Sequence, residues 1–195
     1  MPKILLIDNY DSFTYNLFHY LEELSSHEVL VIRNDELELN HLDQFDSVVI
    51  SPGPGLPAQS GKLMEFLKCF AKNKHILGIC LGQQAIAEHF GMKLKNLSQV
   101  VHGQAKKVNV LTKNEPLFKG LPQTFNVGRY HSWVIDPQSL HKDFEATSSD
   151  EAGNIMSISH NTLSIKAVQF HPESVLTEHG KQLIENWLDH TTTQT

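Results

Sequence analysis

The sequence predicts an α/β protein with an open, mostly parallel sheet, helices on both faces, a flavodoxin-like layout, and extra antiparallel strands in the second half. Two observations carry this prediction. In the first half, short apolar runs alternate with segments of helical periodicity, and the runs end in polar residues or glycine. In the second half, strand-like runs follow one another with only polar turns between them, which is typical of antiparallel neighbours.

Four strands and three helices are predicted for the first half. The strands are Lys3–Asp8, Glu28–Arg33, Asp46–Ser51 and the run that ends at Cys80. Helical spacing of apolar residues follows in 13–24, in 63–70, and from Cys80 to Gly91. Ser60 is expected to cap the second of these helices, and Cys69 is expected to be a small packing residue beside its apolar face.

Further strands and one last helix are predicted for the second half. Thr177 is expected to cap that helix, whose buried face holds Leu183, Ile184, Trp187 and Leu188. We expect residues 1–190 to form a single domain and residues 191–195 to be a disordered tail. The predicted strands are Val100–Leu111, Phe125–Ile135, Phe144–Ser149, Ile155–Ser159 and Leu163–Phe170.

Composition excludes several classes of function. The chain has 195 residues, 40% of them hydrophobic and 19% charged, as in an ordinary soluble globular protein. A net charge of −6 gives no basic footprint for nucleic acid, and no apolar run is long enough to cross a membrane. Two cysteines and the absence of a signal peptide pattern indicate a cytoplasmic protein without a disulfide framework. The twelve histidines form no recognisable metal motif, so no metal site is expected.

The segment His75–Gly91 has the spacing of a nucleophile elbow. Cys80 lies in Gly-x-Cys-x-Gly, between Gly78 and Gly82, where an apolar strand meets a helix. Glycines are needed on both sides because so sharp a turn leaves no room for side chains. The helix N-terminus would favour the thiolate form of a cysteine placed there. Taken alone, the pattern also fits a buried structural cysteine.

Polar or glycine-rich residues follow three of the predicted parallel strands. Asp8-Asn9, Pro52–Pro57 and Cys80 all fall at carboxyl ends, so we expect them to converge on one crevice. The Pro52–Gly55 stretch fits a rigid surface turn, and it lacks the lysine of a phosphate-binding loop. We favour a third interpretation, in which this loop offers a backbone N–H to an oxyanion together with the N–H of Leu81.

A candidate base follows the last predicted strand. Pro172 is expected to hold the chain extended, so that His171 and Glu173 project to the same side. Glu173 can then accept a hydrogen bond from one ring nitrogen while the other nitrogen faces a nucleophile, as in a catalytic triad. His-Pro-Glu alone also fits a surface turn. Its combination with an elbow cysteine makes the catalytic interpretation more specific.

Over essentially its full length, the chain resembles the class I (triad) glutamine amidotransferases. The resemblance rests on Gly78–Gly82 with Gln84, on Pro52–Gly55, and on Gln169–Glu173. It implies that Cys80 is the nucleophile, His171 the base and Glu173 its orienting carboxylate. It also implies an oxyanion hole from Gly53 and Leu81. The implied glutamine-binding residues are Gly53, Gly55, Gln84, Ser132 and Trp133.

Finer features resemble the small subunits of anthranilate synthase and aminodeoxychorismate synthase. They are Asp8–Asn16, His102-Gly103 and Arg129–Ser132. The resemblance implies a cofactor-free glutaminase that delivers ammonia to a large chorismate-binding partner. Gln83, Gln104 and Trp133 depart from the usual residues of these subunits (His, Lys and Leu), and no departure removes a triad member.

Three alternatives stay open at this point. The chain could be the amidotransferase subunit of another pathway, a free-standing γ-glutamyl hydrolase, or a catalytically silent binding subunit. The Asn9–Asn16 stretch argues against the first two, and the intact set of Cys80, His171 and Glu173 argues against the third. The sequence does not distinguish anthranilate from aminodeoxychorismate as the product of the complex.

Overall fold

The computed structural model describes residues 3–112 and 114–192, with only the backbone for 98–102 and 191–192. Within these residues, nine strands form one sheet that is flanked by four α-helices. The helices are α1 (Thr14–Leu24), α2 (Leu63–Phe70), α3 (Leu81–His89) and α4 (Gly180–Thr192). The strands are β1 (Lys3–Asp8), β2 (Glu28–Arg33), β3 (Ser47–Ile50), β4 (His75–Ile79), β5 (Leu94–Val110), β6 (Thr124–Ile135), β7 (Phe144–Asp150), β8 (Ile155–His160) and β9 (Ile165–Val168).

The parallel half of the sheet has the strand order β2-β1-β3-β4-β9. Each neighbouring pair in this half runs parallel. The order matches the flavodoxin-like arrangement, in which the carboxyl ends of the strands form one ligand-binding edge. The predicted fold class is therefore confirmed for this half.

Helices cover both faces of the parallel strands, as the apolar runs predict. Ile4 and Leu6 of β1 contact a core that includes residues of α1 and α4. Leu5 and Ile7 contact a second core, which includes residues of α2 and α3. A strand buried on both faces must be apolar at every position, and this explains why β1, β3 and β4 lack polar alternation.

The remaining strands extend the same sheet by antiparallel pairing, in the order β9-β8-β7-β5-β6. The longest pair, β5 with β6, has a shift of register between His102 and Gln104. Gly103 lies at the shift with φ +62°, a backbone conformation that glycine adopts without strain. Gln104, one of the departures noted above, is exposed on β5.

Two predicted helix caps are wrong. Lys62 precedes α2 without a capping side chain, and the Ser60 hydroxyl instead donates to the Leu56 carbonyl at 3.2 Å. Helix α4 begins only at Gly180, and the Thr177 hydroxyl donates to the carbonyl of His171. Both hydroxyls form local turn contacts, a known competitor of helix capping. Cys69 is exposed, so the expectation that it packs beside the apolar face of α2 is also wrong.

Some element boundaries also differ from the predictions. Strand β5 begins earlier than predicted, at Leu94, and β9 is shorter than the predicted 163–170. Helix α4 is assigned through Thr192, and residues 193–195 of the predicted tail lie outside the described part of the chain. In the described ranges, no helix is long and apolar enough to cross a membrane, and no group of three or more His, Cys, Asp or Glu side chains is arranged to hold a metal ion.

Candidate active site

Cys80 occupies the sharp turn between β4 and α3. Its φ of +52° and ψ of −100° put it in a region that non-glycine residues rarely adopt, directly before the first residue of α3. The Cys80 N–H donates to the Val168 carbonyl at 2.8 Å, which ties the turn to β9. Strain at a turn that is held by its surroundings is typical of a functional position, and it supports the elbow interpretation of the sequence.

The two glycines of the elbow are required by close packing. A Cβ atom on Gly78 would lie 2.8 Å from the Gly82 backbone, and a Cβ on Gly82 would lie 2.7 Å from the Ile50 carbonyl oxygen. Both distances are shorter than carbon atoms tolerate. Helix α3 therefore approaches β3 and β4 closely enough to bring its N-terminus to the carboxyl edge of the sheet.

His171 and Glu173 lie together in a tight turn beside Cys80. The Nδ1 atom of His171 is 2.7 Å from Oε1 of Glu173, as the sequence predicts. The Ser174 N–H donates to the His171 carbonyl at 3.2 Å, so Pro172 stands in the second position of a four-residue turn. The expectation that Pro172 keeps the chain extended is wrong, because proline suits that turn position equally well.

The turn is fixed against β6 at Gly128. The His171 N–H donates to the Gly128 carbonyl at 3.0 Å, and the Gly128 N–H donates to the Thr177 hydroxyl at 2.9 Å. A Cβ on Gly128 would lie 2.7 Å from Ser174 Oγ, so only glycine allows this approach. The antiparallel half of the sheet thereby positions the candidate base.

Burial and charge act in opposite directions on His171. Burial disfavours its protonated form, but interaction with the Cys80 sulfur and with Glu173 raises the pKa of His171 to about 11. Burial raises the pKa of Glu173, and the hydrogen bond and charge of His171 oppose that rise. The Nδ1–Oε1 contact leaves Nε2 for Cys80; Nε2 is buried and makes no well-aligned hydrogen bond within the described ranges. Catalytic hydrogen bonds are often poorly aligned until substrate binds.

The loop after β3 approaches the elbow as expected. The Asn9 N–H donates to Ser51 Oγ at 2.9 Å, and the Asn9 side chain donates to the Ser51 carbonyl at the same distance. These bonds join the ends of β1 and β3. A Cβ on Gly53 would lie 2.5 Å from Asn9 Cβ and 2.8 Å from the Leu81 side chain. The backbone of Gly53 is therefore packed against the start of α3, where the N–H groups have no partner within the helix.

Cys80 lines two neighbouring cavities. The smaller one, about 140 Å³, is lined by Gly53, Gly55, Gln84, Ser132 and Trp133, the five predicted glutamine-binding residues, and by His131 among others. The larger one, about 350 Å³, is lined by residues of the β1–α1 loop together with His171 and Tyr130. All the predicted site residues therefore lie around Cys80 or against the elbow.

Two groups of polar residues near the site had no predicted role. Gln169 is fully buried, and its Nε2 is 3.6 Å from the Cys80 sulfur. On β6, Arg129 Nε donates to His131 Nε2 at 3.1 Å, and Arg129 Nη1 contacts the Asp150 carboxylate at 2.8 Å. Gln169, Arg129 and His131 lie in stretches that carry the family resemblance, which was a usable signal. Nothing in the sequence indicates Asp150, because β7 reaches Arg129 only through the folded sheet.

A model of the family described as glutamine amidotransferase class-I matches residues 5–191. The chain belongs to this family. Among relatives of this amidotransferase, aminodeoxychorismate synthase component 2 of Klebsiella aerogenes is 46% identical over 188 residues, covering 95% of this chain and 99% of that protein. Anthranilate synthase component 2 of Lactococcus lactis is 45% identical over 188 residues, covering 95% of this chain and 93% of that protein. A relative of Bacillus subtilis, 40% identical over 188 residues with 95% of each chain covered, is named aminodeoxychorismate/anthranilate synthase component 2.

Solved structures show the same amidotransferase fold. A crystal structure of a candidate GMP synthase subunit from Thermoplasma acidophilum matches with a TM-score of 0.88 and 29% identity, covering 100% of this chain and 96% of that one. A glutamine amidotransferase of Thermotoga maritima matches with a TM-score of 0.74 at 16% identity, covering 99% of this chain and 83% of that one. The predicted fold and family are confirmed.

Proposed function

We propose that this amidotransferase is the glutaminase subunit of a chorismate-aminating synthase. The observation that carries the proposal is the position of Cys80, which lies at a strained elbow between the small cavity and the His171–Glu173 pair. The names of the relatives support the class of complex, since they are component 2 of aminodeoxychorismate or anthranilate synthases. A free thiol is required, which fits a reducing compartment such as the cytoplasm.

Glutamine binds in the small cavity with its side-chain carboxamide toward the Cys80 sulfur. Gly55, Gln84 and the backbone of Ser132-Trp133 are the proposed contacts. The Gln84 amide already donates to the Trp133 carbonyl at 3.0 Å, which joins α3 to β6 across the cavity. That bond defines the distance between the two walls, and thus the size of substrate that the cavity accepts.

The Cys80 thiolate attacks the carboxamide carbon and forms a tetrahedral oxyanion. The N–H groups of Gly53 and Leu81 stabilise this oxyanion, by about 3 kcal/mol per donor in comparable acyl transfers. His171 then donates a proton to the departing nitrogen, and the C–N bond breaks to give ammonia and a γ-glutamyl thioester. His171 next takes a proton from water, and the resulting hydroxide attacks the thioester. The C–S bond breaks, the product leaves as glutamate after its acid proton passes to solvent, and the Cys80 thiolate and protonated His171 are restored.

The ammonia is proposed to pass to a large chorismate-binding subunit that docks over the larger cavity. Tyr10 lines this cavity and is 52% exposed. Tyrosine is enriched at protein interfaces, so an exposed tyrosine at this opening supports a contact surface there. Relatives carry both pathway names, so the product is proposed as anthranilate, aminodeoxychorismate or both, depending on the partner.

The test is glutaminase activity of the purified chain, alone and with each candidate large subunit, with and without chorismate. We expect weak activity alone and a rise with at least one partner, because a misplacement of 1 Å in an unpartnered site costs about a hundredfold. Cys80→Ser should remove the activity, and Cys69→Ser should preserve it, since Cys69 is exposed on α2. Strong activity that no partner changes would contradict the subunit role, and turnover that survives Cys80→Ser would contradict the mechanism.

A further inference from the structure

Resting on the proposed function, we propose that Gln169 is an additional catalytic residue. Its side-chain N–H donates to the sulfur of Cys80 and holds that sulfur as a thiolate ready for attack. Gln169 follows β9 directly, and its side chain is fully buried, with Nε2 3.6 Å from the Cys80 sulfur. This distance is within the range of a hydrogen bond to sulfur, which is a larger atom than oxygen.

The backbone around Gln169 keeps its side chain in place. The Gln169 N–H donates to the Met156 carbonyl at 2.8 Å, and the preceding residue accepts the Cys80 N–H. The sulfur and the amide are thus attached to neighbouring strands, β4 and β9, that pair directly. The contact between Gln169 and Cys80 is therefore held by the pairing of two strands.

The orientation of the Gln169 amide is fixed by Gln84. The Gln84 Nε2 donates to Gln169 Oε1 at 3.3 Å and to the Trp133 carbonyl at 3.0 Å. If the Gln169 amide were flipped, two NH₂ groups would face each other and the sulfur would face an oxygen. The hydrogen-bond network therefore requires the NH₂ group of Gln169 to point at Cys80.

A donor at this position favours the charged form of the sulfur. A hydrogen bond to an ionised acceptor is about twice as strong as one between neutral groups, so the N–H stabilises a thiolate more than a thiol. The other ionisable groups around the sulfur are Tyr10 and Asp11 from the β1–α1 loop, Tyr130 and His131 from β6, and His171 and Glu173 from the loop after β9. His171 is the only one of these groups that supports the thiolate with a positive charge, so the Gln169 amide adds a second, neutral support that pH does not change.

Two variants in a Cys69→Ser background test the proposal. Cys69 is exposed and would otherwise react with the same reagent. Gln169→Met keeps the approximate volume and removes the donor, whereas Gln169→Glu keeps the shape and puts a carboxyl group against the sulfur. The matched control is Gln83→Met, because Gln83 is equally buried on α3 and its amide has no hydrogen-bond partner among the described residues.

The first measurement is the rate of Cys80 alkylation by iodoacetamide as a function of pH, with peptide mass spectrometry to locate the label. At about pH 6, Gln169→Met should react about tenfold more slowly than the parent, because one hydrogen bond to a charged group is lost. Its profile should move to higher pH and reach the parent's rate under alkaline conditions. Gln169→Glu should show the larger displacement, and Gln83→Met should follow the parent.

The second measurement separates kcat from KM in the complex with the large subunit. Gln169 does not line the glutamine cavity, so Gln169→Met should lower kcat about tenfold with little change in KM. A purely structural role would change thermal unfolding and leave the alkylation profile of the folded protein at the parent's position. An alkylation profile that stays at the parent's position in folded Gln169→Met or folded Gln169→Glu would overturn the proposal. The alkylation profile does not require turnover, so it still tests the Gln169–sulfur contact if the proposed glutaminase function fails.

Discussion

Two buried histidines near Cys80, one on β6 and one after β9, differ in charge. His171 is 2% exposed and His131 is 5% exposed. The carboxylate of Glu173 and the Cys80 sulfur raise the pKa of His171 to about 11, against the effect of burial. Burial, with the charges of Arg129 and His171, lowers the pKa of His131 to about 3. Burial alone therefore does not decide the charge of a histidine, whereas its hydrogen-bond partner does.

The difference suits the two positions. In the proposed mechanism, a charged His171 can hold a thiolate and later donate a proton to the departing nitrogen of glutamine. A neutral His131 keeps a second positive charge out of the wall of the small cavity, where it would compete with His171 for the sulfur. The Arg129–Asp150 pair maintains this neutrality, because Arg129 donates to His131 Nε2 and its own charge is balanced by Asp150.

The largest expected effect is that of Glu173→Gln. The amide oxygen can still accept from His171 Nδ1, but the negative charge is lost, so the pKa of His171 should fall and the ring should become a weaker partner of the thiolate. We expect kcat for glutamine hydrolysis to fall about a hundredfold, at the low end of the usual contribution of general acid–base catalysis. Glu178→Gln is the matched control, since the Glu178 carboxylate is exposed and contacts Asn126. The activity of this variant should match that of the parent. Equal activities of the two variants would mean that the Glu173 charge has no role.

The second effect concerns the pair that keeps His131 neutral. Asp150→Asn leaves Arg129 buried without its counter-charge, and the free energy of unfolding should fall by about 3 kcal/mol. The double variant Arg129→Met with Asp150→Leu should be less destabilised than Asp150→Asn, because no uncompensated charge remains. Urea denaturation of both variants measures the difference. If the double variant were less stable than Asp150→Asn, the stabilisation would come from the ion pair itself rather than from avoiding an unpaired buried charge.

The third effect is the opposite dependence of stability on pH for the two histidines. His131 stays neutral in the folded protein between pH 6.5 and about 3, whereas the same histidine is protonated in the unfolded chain over this range. The free energy of unfolding should therefore decrease as pH falls from 6.5 toward about 3. His171 holds its proton in the folded protein, so its stabilisation is complete below 6.5 and should be lost as pH rises toward about 11.

Urea midpoints across this pH range test both limbs. His131→Gln should flatten part of the acid limb, and His75, whose pKa burial lowers to about 4, should supply another part. Glu173→Gln should flatten the alkaline limb. Parallel curves for the parent and both variants would contradict the assignment of a neutral His131 and a charged His171.

The fold and the main site residues were accessible from the sequence, because their signals are local. The apolar runs of β1, β3 and β4 predict parallel strands, since a strand with both faces buried cannot alternate with polar residues. Gly-x-Cys-x-Gly predicts the elbow, since both glycines are needed wherever α3 approaches the sheet so closely. Errors occurred where local options compete: Ser60 and Thr177 are good capping residues, but each bonds a nearby carbonyl instead.

The sequence by itself determined the layered α/β architecture and the family, and it predicted the proposed nucleophile and base. Only the tertiary structure decided the charge of the two histidines and the role proposed for Gln169. Asp150 and Arg129 are 21 residues apart, and Gln169 and Cys80 are 89 apart. Periodicity and motif spacing carry information about local structure, that is, about residues close together in the chain. The electrostatic environment of a buried group depends on partners from other strands, whose positions are fixed only when the sheet is assembled.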